Sequence, residues 1–149
     1  MQPDRFVQAG YWRSLAAQDR RLAEQHATDE PNAACFHAQQ AAEKALKAAL
    51  VAAADDVPRV HAVTSLLDEL GGCDVTVDAA VREAASVLDR YYAPTRYPDA
   101  LGGVDPERVF LERDAREAVK YVDRIIALAD AVVERERQSS GPNDNKELP

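Results

Sequence analysis

Sulfur, aromatic rings and positive charge are all scarce in this 149-residue sequence, and each shortage removes a class of function. There are two cysteines, Cys35 and Cys73, in no CxxC pair and with no Cys/His cluster at zinc-ligand spacing, so two reduced thiols are expected. No two histidines have helical metal-ligand spacing, and neither a metal nor a cofactor is expected. Lysine and arginine number 18 against 26 acidic residues, a formal net charge of -8. Phosphates repel such a chain, which argues against a non-specific nucleic-acid coat but leaves room for a local basic patch that takes nucleotide or RNA. Nothing draws it to an anionic membrane surface. The most apolar run, Ala48 to Ala54, is far too short to span a bilayer. The start at Met1 lacks a basic stretch followed by an apolar one, so no signal peptide is expected and a cytoplasmic location is. A Gly-rich phosphate loop and a GxSxG elbow are both missing.

What the chain does have is alanine, within a hydrophobic content of 46%. Alanine is the best helix former, but each one buries little surface. Five helical segments can be read, and no strand pattern competes with them. The first spans about Arg5 to Ala27, with Leu15, Asp19, Leu22 and His26 expected on one face. The second spans about Ala33 to Ala54, with Asn32 as the expected N-cap. Its stripe Cys35, Gln39, Ala42, Leu46, Ala49 lies beside Phe36, Gln40, Glu43, Lys47, Leu50, so it is polar in the middle of a face that should pack. A short third helix runs from about Ala62 to Leu70, ended by Gly71-Gly72 in a left-handed conformation. The fourth covers about Asp78 to Tyr92 and buries Val77, Val81, Ala84, Leu88 and Tyr91. The fifth starts at an Asp105 N-cap with Pro106 as its first residue and reaches about Arg137. Along it Leu111, Ala115, Ala118, Val122, Ile125, Ala129 and Val132 alternate in steps of four and three.

These elements predict an all-α, up-down antiparallel bundle of four to five helices over residues 1–138. Residues 139–149 are polar, with glycine and proline, and read as a disordered tail.

Four pieces, in order, resemble the HEPN family of small helical-bundle proteins. They are Asp19 within Ala16-Ala17-Gln18-Asp19-Arg20-Arg21-Leu22-Ala23; the run from Cys35 through Phe36 and Gln39-Gln40-Ala41-Ala42-Glu43-Lys44-Ala45-Leu46-Lys47; Pro58, His61 and Leu66-Leu67; and Tyr91-Tyr92 followed by Arg96-Tyr97-Pro98. The resemblance implies a bundle that usually dimerises. It also implies one of two roles: a metal-independent ribonuclease with an Arg-x(4–6)-His motif, often a toxin, or the partner of a minimal nucleotidyltransferase in a two-gene module.

The ribonuclease motif can be sought directly. The histidines are His26, His37 and His61, so no Arg-x(4–6)-His follows the fourth helix. Arg20 and Arg21 precede His26 at a permitted spacing, but Arg21 and His26 lie about 140° apart around a helix and share no surface. His61 stands where the resemblance implies a His-Asp-Leu start to helix three, yet Ala62 replaces the acid. Without an orienting carboxylate His61 is a weak candidate for general acid/base work, and it serves equally as a residue that caps or packs the helix start. Asp19 on an apolar face needs a partner. With Gln40, Glu43, Lys44 and Lys47 it forms either a polar network between helices one and two, or a cleft in which Lys44 or Lys47 neutralises a phosphate. Tyr92, Arg96 and Tyr97 can stack on a base and grip a phosphate, or anchor their own loop.

The sequence therefore points to a non-catalytic HEPN-type module, expected to be a dimer. It would bind nucleotide or RNA through Lys44, Lys47, Tyr92, Arg96 and Tyr97, or partner a minimal nucleotidyltransferase in a toxin–antitoxin-like pair. Asp19, Gln40 and Glu43 are expected in a structural network. The alternative is a divergent metal-independent ribonuclease using Arg96, Tyr97 and His61.

Overall fold

A computed structural model describes residues 4–141, and these are all-helical. Helix α1 (Arg5–Gln25) is capped by Asp4, whose side chain accepts from the Phe6 amide at 2.8 Å. Helix α2 (Pro31–Ala54) starts earlier than expected. Proline lacks the amide hydrogen that the first turn leaves unpaired, so Pro31 takes the first position and Glu30 precedes it. Asn32, released from capping, donates from Nδ2 to the Thr95 carbonyl at 3.4 Å and ties the start of α2 to a distant loop. Asp55, left-handed at φ 53°, ends α2.

Helix α3 (Val63–Gly71) takes its cap from helix α4 (Ala79–Asp89). Asp89 accepts from the Val63 amide (2.5 Å), the Thr64 amide (3.1 Å) and the Thr64 hydroxyl (2.6 Å). The expected left-handed Gly71-Gly72 stop is corrected: Gly72 has φ -68°, and the left-handed residue is Asp74 at φ 59°. After α4 comes a loop, a single 3-10 turn (Pro98–Leu101), and Gly102 and Gly103 at φ 68° and 87°.

The single fifth helix is also corrected. Asp105 and Pro106 do start a helix, but it is the short α5 (Pro106–Val109). The chain then extends through Phe110 and Leu111 and restarts as α6 (Glu112–Ser139), where Asp114 accepts from the Leu111 amide at 2.9 Å. The break turns Phe110 inward, edge-on to Tyr91 with centroids 5.9 Å apart. Leu111 therefore leaves the stripe and stands 48% exposed, while Ala115 to Val132 bury as expected. α6 runs on to Ser139, the first residue of the expected tail; residues 142–149 of that tail lie outside the described residues.

Helix α2 forms the centre of the bundle, packed against α1, α3, α4 and α6. Its buried alanines 34, 38, 41, 45, 48 and 52 repeat in steps of four and three. The packing face of α1 is also alanine: Ala9, Ala16 and Ala23, seven residues apart, with Asp19 among them. The expected leucine face is not the buried one, since Leu15 is 43% exposed and Leu22 and His26 are half-buried. Small side chains let the two helix backbones approach closely. Among the described residues no helix is long and apolar enough to cross a membrane.

Candidate functional site

The polar middle of α2 divides into two networks. In the first, Asp19 reaches across from α1. Its Oδ1 lies 2.9 Å from His37 Nδ1, and its Oδ2 accepts from Lys44 Nζ at 2.5 Å. Burial works to raise the Asp19 pKa, but the hydrogen bonds from His37 and Lys44 outweigh it and hold the carboxyl below the usual carboxylate range.

The second network centres on Glu43, whose side chain is only 6% exposed. Its Oε1 accepts from Lys47 Nζ at 2.9 Å and lies 3.0 Å from His61 Nδ1. Its Oε2 accepts from Gln39 Nε2 at 3.3 Å and Gln40 Nε2 at 3.2 Å. Gln39 also donates to the His61 carbonyl at 3.0 Å, so α2 holds that residue by backbone and ring together. Lys47, as buried as Glu43, faces the Trp12 ring at 5.5 Å. A carboxylate can only accept, so Nδ1 of His61 is the donor to Glu43, and Nε2 is the ring nitrogen left for another partner. The His61 side chain is 60% exposed.

His61 stacks on Tyr92, with centroids 5.3 Å apart and planes 16° from parallel. Tyr92 belongs to the loop after α4, which Thr95 stiffens by donating to the Tyr91 carbonyl at 2.6 Å. Arg96 Nε donates to the Tyr92 carbonyl at 2.9 Å. The Arg96 guanidinium carbon lies 4.4 Å from the Phe36 ring centroid, 4.5 Å from that of Tyr92 and 4.9 Å from that of Tyr97. Among the described residues no carboxylate pairs with Arg96, and its two terminal nitrogens have no hydrogen-bond partner. Beside this row, His61, Ala62, Asp89 and Tyr92 line a shallow cavity of about 330 Å³. Both oxygens of Asp89 are committed to capping α3, so the acid here is occupied.

The expected site residues thus fall into three places. Tyr92 and Arg96 come together with His61, and Tyr97, half-exposed, closes on the Arg96 side. Lys44 lies with Asp19, and Lys47 lies with Gln40 and Glu43, so the two lysines occupy separate networks. The carboxylate missing at position 62 is supplied to the imidazole by Glu43, eighteen residues before His61. Residues that the sequence reading passed over are His37, Gln39, Phe36 and Trp12. Gln39 gave a signal, being the one polar member of an otherwise apolar stripe. The Arg–His spacing in α1 assembles nothing: Arg20 is held by Asp123 at 2.7 Å, and His26 faces Asp29 at 3.7 Å. Among the described residues no three His, Cys, Asp or Glu side chains gather to hold a metal.

Comparisons place this arrangement among known proteins. TT1696 from Thermus thermophilus is 38% identical over 83% of this chain and 97% of its own, with a TM-score of 0.78. ST0689, an archaeal HEPN homologue, is 29% identical over 84% of this chain and 97% of its own, with a TM-score of 0.70. The comparison with curated proteins finds no match. The family model for the HEPN domain matches residues 9–132, which takes in both polar networks and the Arg96 loop, and the chain belongs to the HEPN family.

Proposed function

We propose that this protein is a non-catalytic HEPN-type binding module whose cleft, the cavity lined by His61, Ala62, Asp89 and Tyr92 with Arg96 beside it against the Tyr92 ring, takes a nucleotide or an RNA segment. The observation that carries the reading is Arg96. Its guanidinium is fixed by three aromatic rings while its terminal nitrogens stay unpaired, an arrangement suited to gripping phosphate. His61 Nε2, one ring away across Tyr92, is left to hydrogen-bond a sugar hydroxyl or a base edge. Tyr97, the outermost of those three rings, is half-exposed at the rim. Lys47 acts from behind by holding Glu43, and Lys44, 25% exposed, is the cation of α2 nearest to solvent. In this reading the chain works as a homodimer in the cytoplasm beside a separate minimal nucleotidyltransferase, in a toxin–antitoxin-like pair. The lack of any histidine beyond His61 supports a role without the family's ribonuclease motif.

Isothermal titration with adenosine and uridine monophosphates tests the cleft. Arg96→Gln is expected to weaken binding about tenfold or more, the scale of a lost charge-assisted hydrogen bond. Equal affinity in variant and parent rejects the site. Separate elution of this protein and a co-expressed neighbouring nucleotidyltransferase at micromolar concentration rejects the partnership.

A second reading, a divergent metal-independent ribonuclease, is favoured by the Glu43–His61 hydrogen bond, which gives the exposed imidazole an orienting carboxylate. RNA incubated with chelator and protein would then be cleaved, and His61→Ala, Glu43→Gln and Arg96→Gln would each abolish cleavage. Cleavage unaltered in all three identifies a contaminant.

A further inference from the structure

The chain as a whole is strongly acidic, yet the first half of α6 carries a line of positive charge. Arg113, Arg116, Lys120 and Arg124 are all exposed. At about 100° per residue they fall within roughly 80° of arc, on one face of the helix, and at about 1.5 Å per residue the line is roughly 16 Å long. They border an open depression of about 440 Å³ whose other lining residues are Glu117 and Tyr121.

The charges are largely uncommitted. Arg113 and Lys120 make no ion pair, hydrogen bond or ring contact among the described residues. Arg124 is 4.0 Å from Glu83 and lies over the Tyr121 ring at 5.0 Å, which orders its guanidinium. Only Arg116 is well occupied, by Glu112 at 2.7 Å and the Thr28 hydroxyl at 2.9 Å. The acids along the α1 border are themselves engaged: Asp123 and Glu24 both bind Arg20. Glu117 is the one acid left in the depression without an ion pair among the described residues.

We infer that this face of α6 is a track for the phosphate backbone of a single nucleic-acid strand, separate from the Arg96 cleft. A line of cations about 16 Å long complements a strand that carries one negative phosphate per nucleotide over several consecutive nucleotides. Protein partners are anchored by buried aromatic and aliphatic side chains, and the one aromatic side chain lining this depression, Tyr121, is half-buried and already covered by the Arg124 guanidinium. Phosphate contacts position a strand without reading bases, so the track binds without sequence preference.

Fluorescence anisotropy with a short labelled oligouridylate, run over a salt series, tests the track. Arg113→Gln/Lys120→Gln is expected to weaken binding at least tenfold and to reduce the slope of log affinity against log salt by about 1.4, from about 0.7 per lost cation. Arg113→Glu/Lys120→Glu should weaken it further, with an unchanged circular dichroism spectrum. Neither variant should alter mononucleotide binding, which reports on the Arg96 cleft alone. Unchanged oligonucleotide affinity in both variants overturns the inference, as does a parent protein that binds no oligonucleotide while still taking mononucleotide. Loss of binding to polyglutamate with oligonucleotide affinity intact overturns it in favour of an acidic protein partner.

Discussion

Two thiols illustrate how surroundings separate chemically identical residues. Cys35 is wholly buried in the main core, and burial, helped by Asp114, pushes its pKa up to about 12. Cys73 is half-buried near the end of α3. Iodoacetamide at neutral pH should therefore label the native protein once, at Cys73, as read by peptide mass; labelling of Cys35 without denaturant would show that α2 is not packed as described. Asp19 gives a prediction in pH. Its folded pKa lies below its unfolded one, so its contribution is complete above the ordinary carboxylate range and is lost as pH falls through the folded value. Asp19→Asn should cost about 1–3 kcal/mol near neutrality, because His37 and Lys44 lose a charged partner. Urea denaturation at pH 7 and again near pH 3 should show the gap between variant and parent narrowing in acid. A gap that widens on acidification would contradict the sign.

At the scale of the element, contacts from afar decide where helices begin and end. The third helix owes its start to Asp89 on α4, and Asp89→Ala should cost about 1–2 kcal/mol, the usual worth of an N-cap, in the denaturation midpoint. The alanine seam predicts intolerance of size. Ala41 is completely buried on α2, and Ala41→Leu should destabilise by about 1–3 kcal/mol through overpacking, although leucine is a good helix former. The same contrast explains what the sequence made legible. Helix identity and the buried faces of α2, α4 and α6 follow from periodicity, which is a local property. The face of α1 does not, because alanine is as buried as leucine where backbones approach, and a leucine-weighted pattern selects Leu15 instead. The break at Phe110 was equally hidden: Asp105 and Pro106 signal a helix start truthfully, and nothing nearby reveals that Tyr91 will draw Phe110 inward. In the cleft, Tyr92 and Arg96 were legible as stacking and anion-gripping residue types within a proline-bounded loop. The Glu43–His61 bond was not, because it joins the middle of one helix to the approach of another.

At the scale of the whole molecule, the -8 charge has opposing consequences for stability and for binding. Salt screens the self-repulsion of an acidic fold, so the thermal midpoint should rise modestly between low and physiological ionic strength. Strand binding by α6 should weaken over the same range, so the two trends measured in one salt series have opposite signs. A fall in the midpoint with added salt would mean that ion pairs such as Arg20–Asp123 outweigh the net repulsion. The central position of α2 has a further consequence for how this chain can change in length. His37 and Lys44 face Asp19 on α1, while Gln39 and Glu43 hold His61, and all are read off one continuous helix. A residue inserted between His37 and Glu43 would rotate everything after it by about 100°, pulling Glu43 from His61 and turning the later alanines away from α1 in the same step. Residues added between Asp99 and Asp105, where the backbone is exposed and left-handed glycines already set the turn, would move none of these groups. Descendants of this sequence should therefore vary in length around Gly102 and keep the count from His37 to Glu43 fixed.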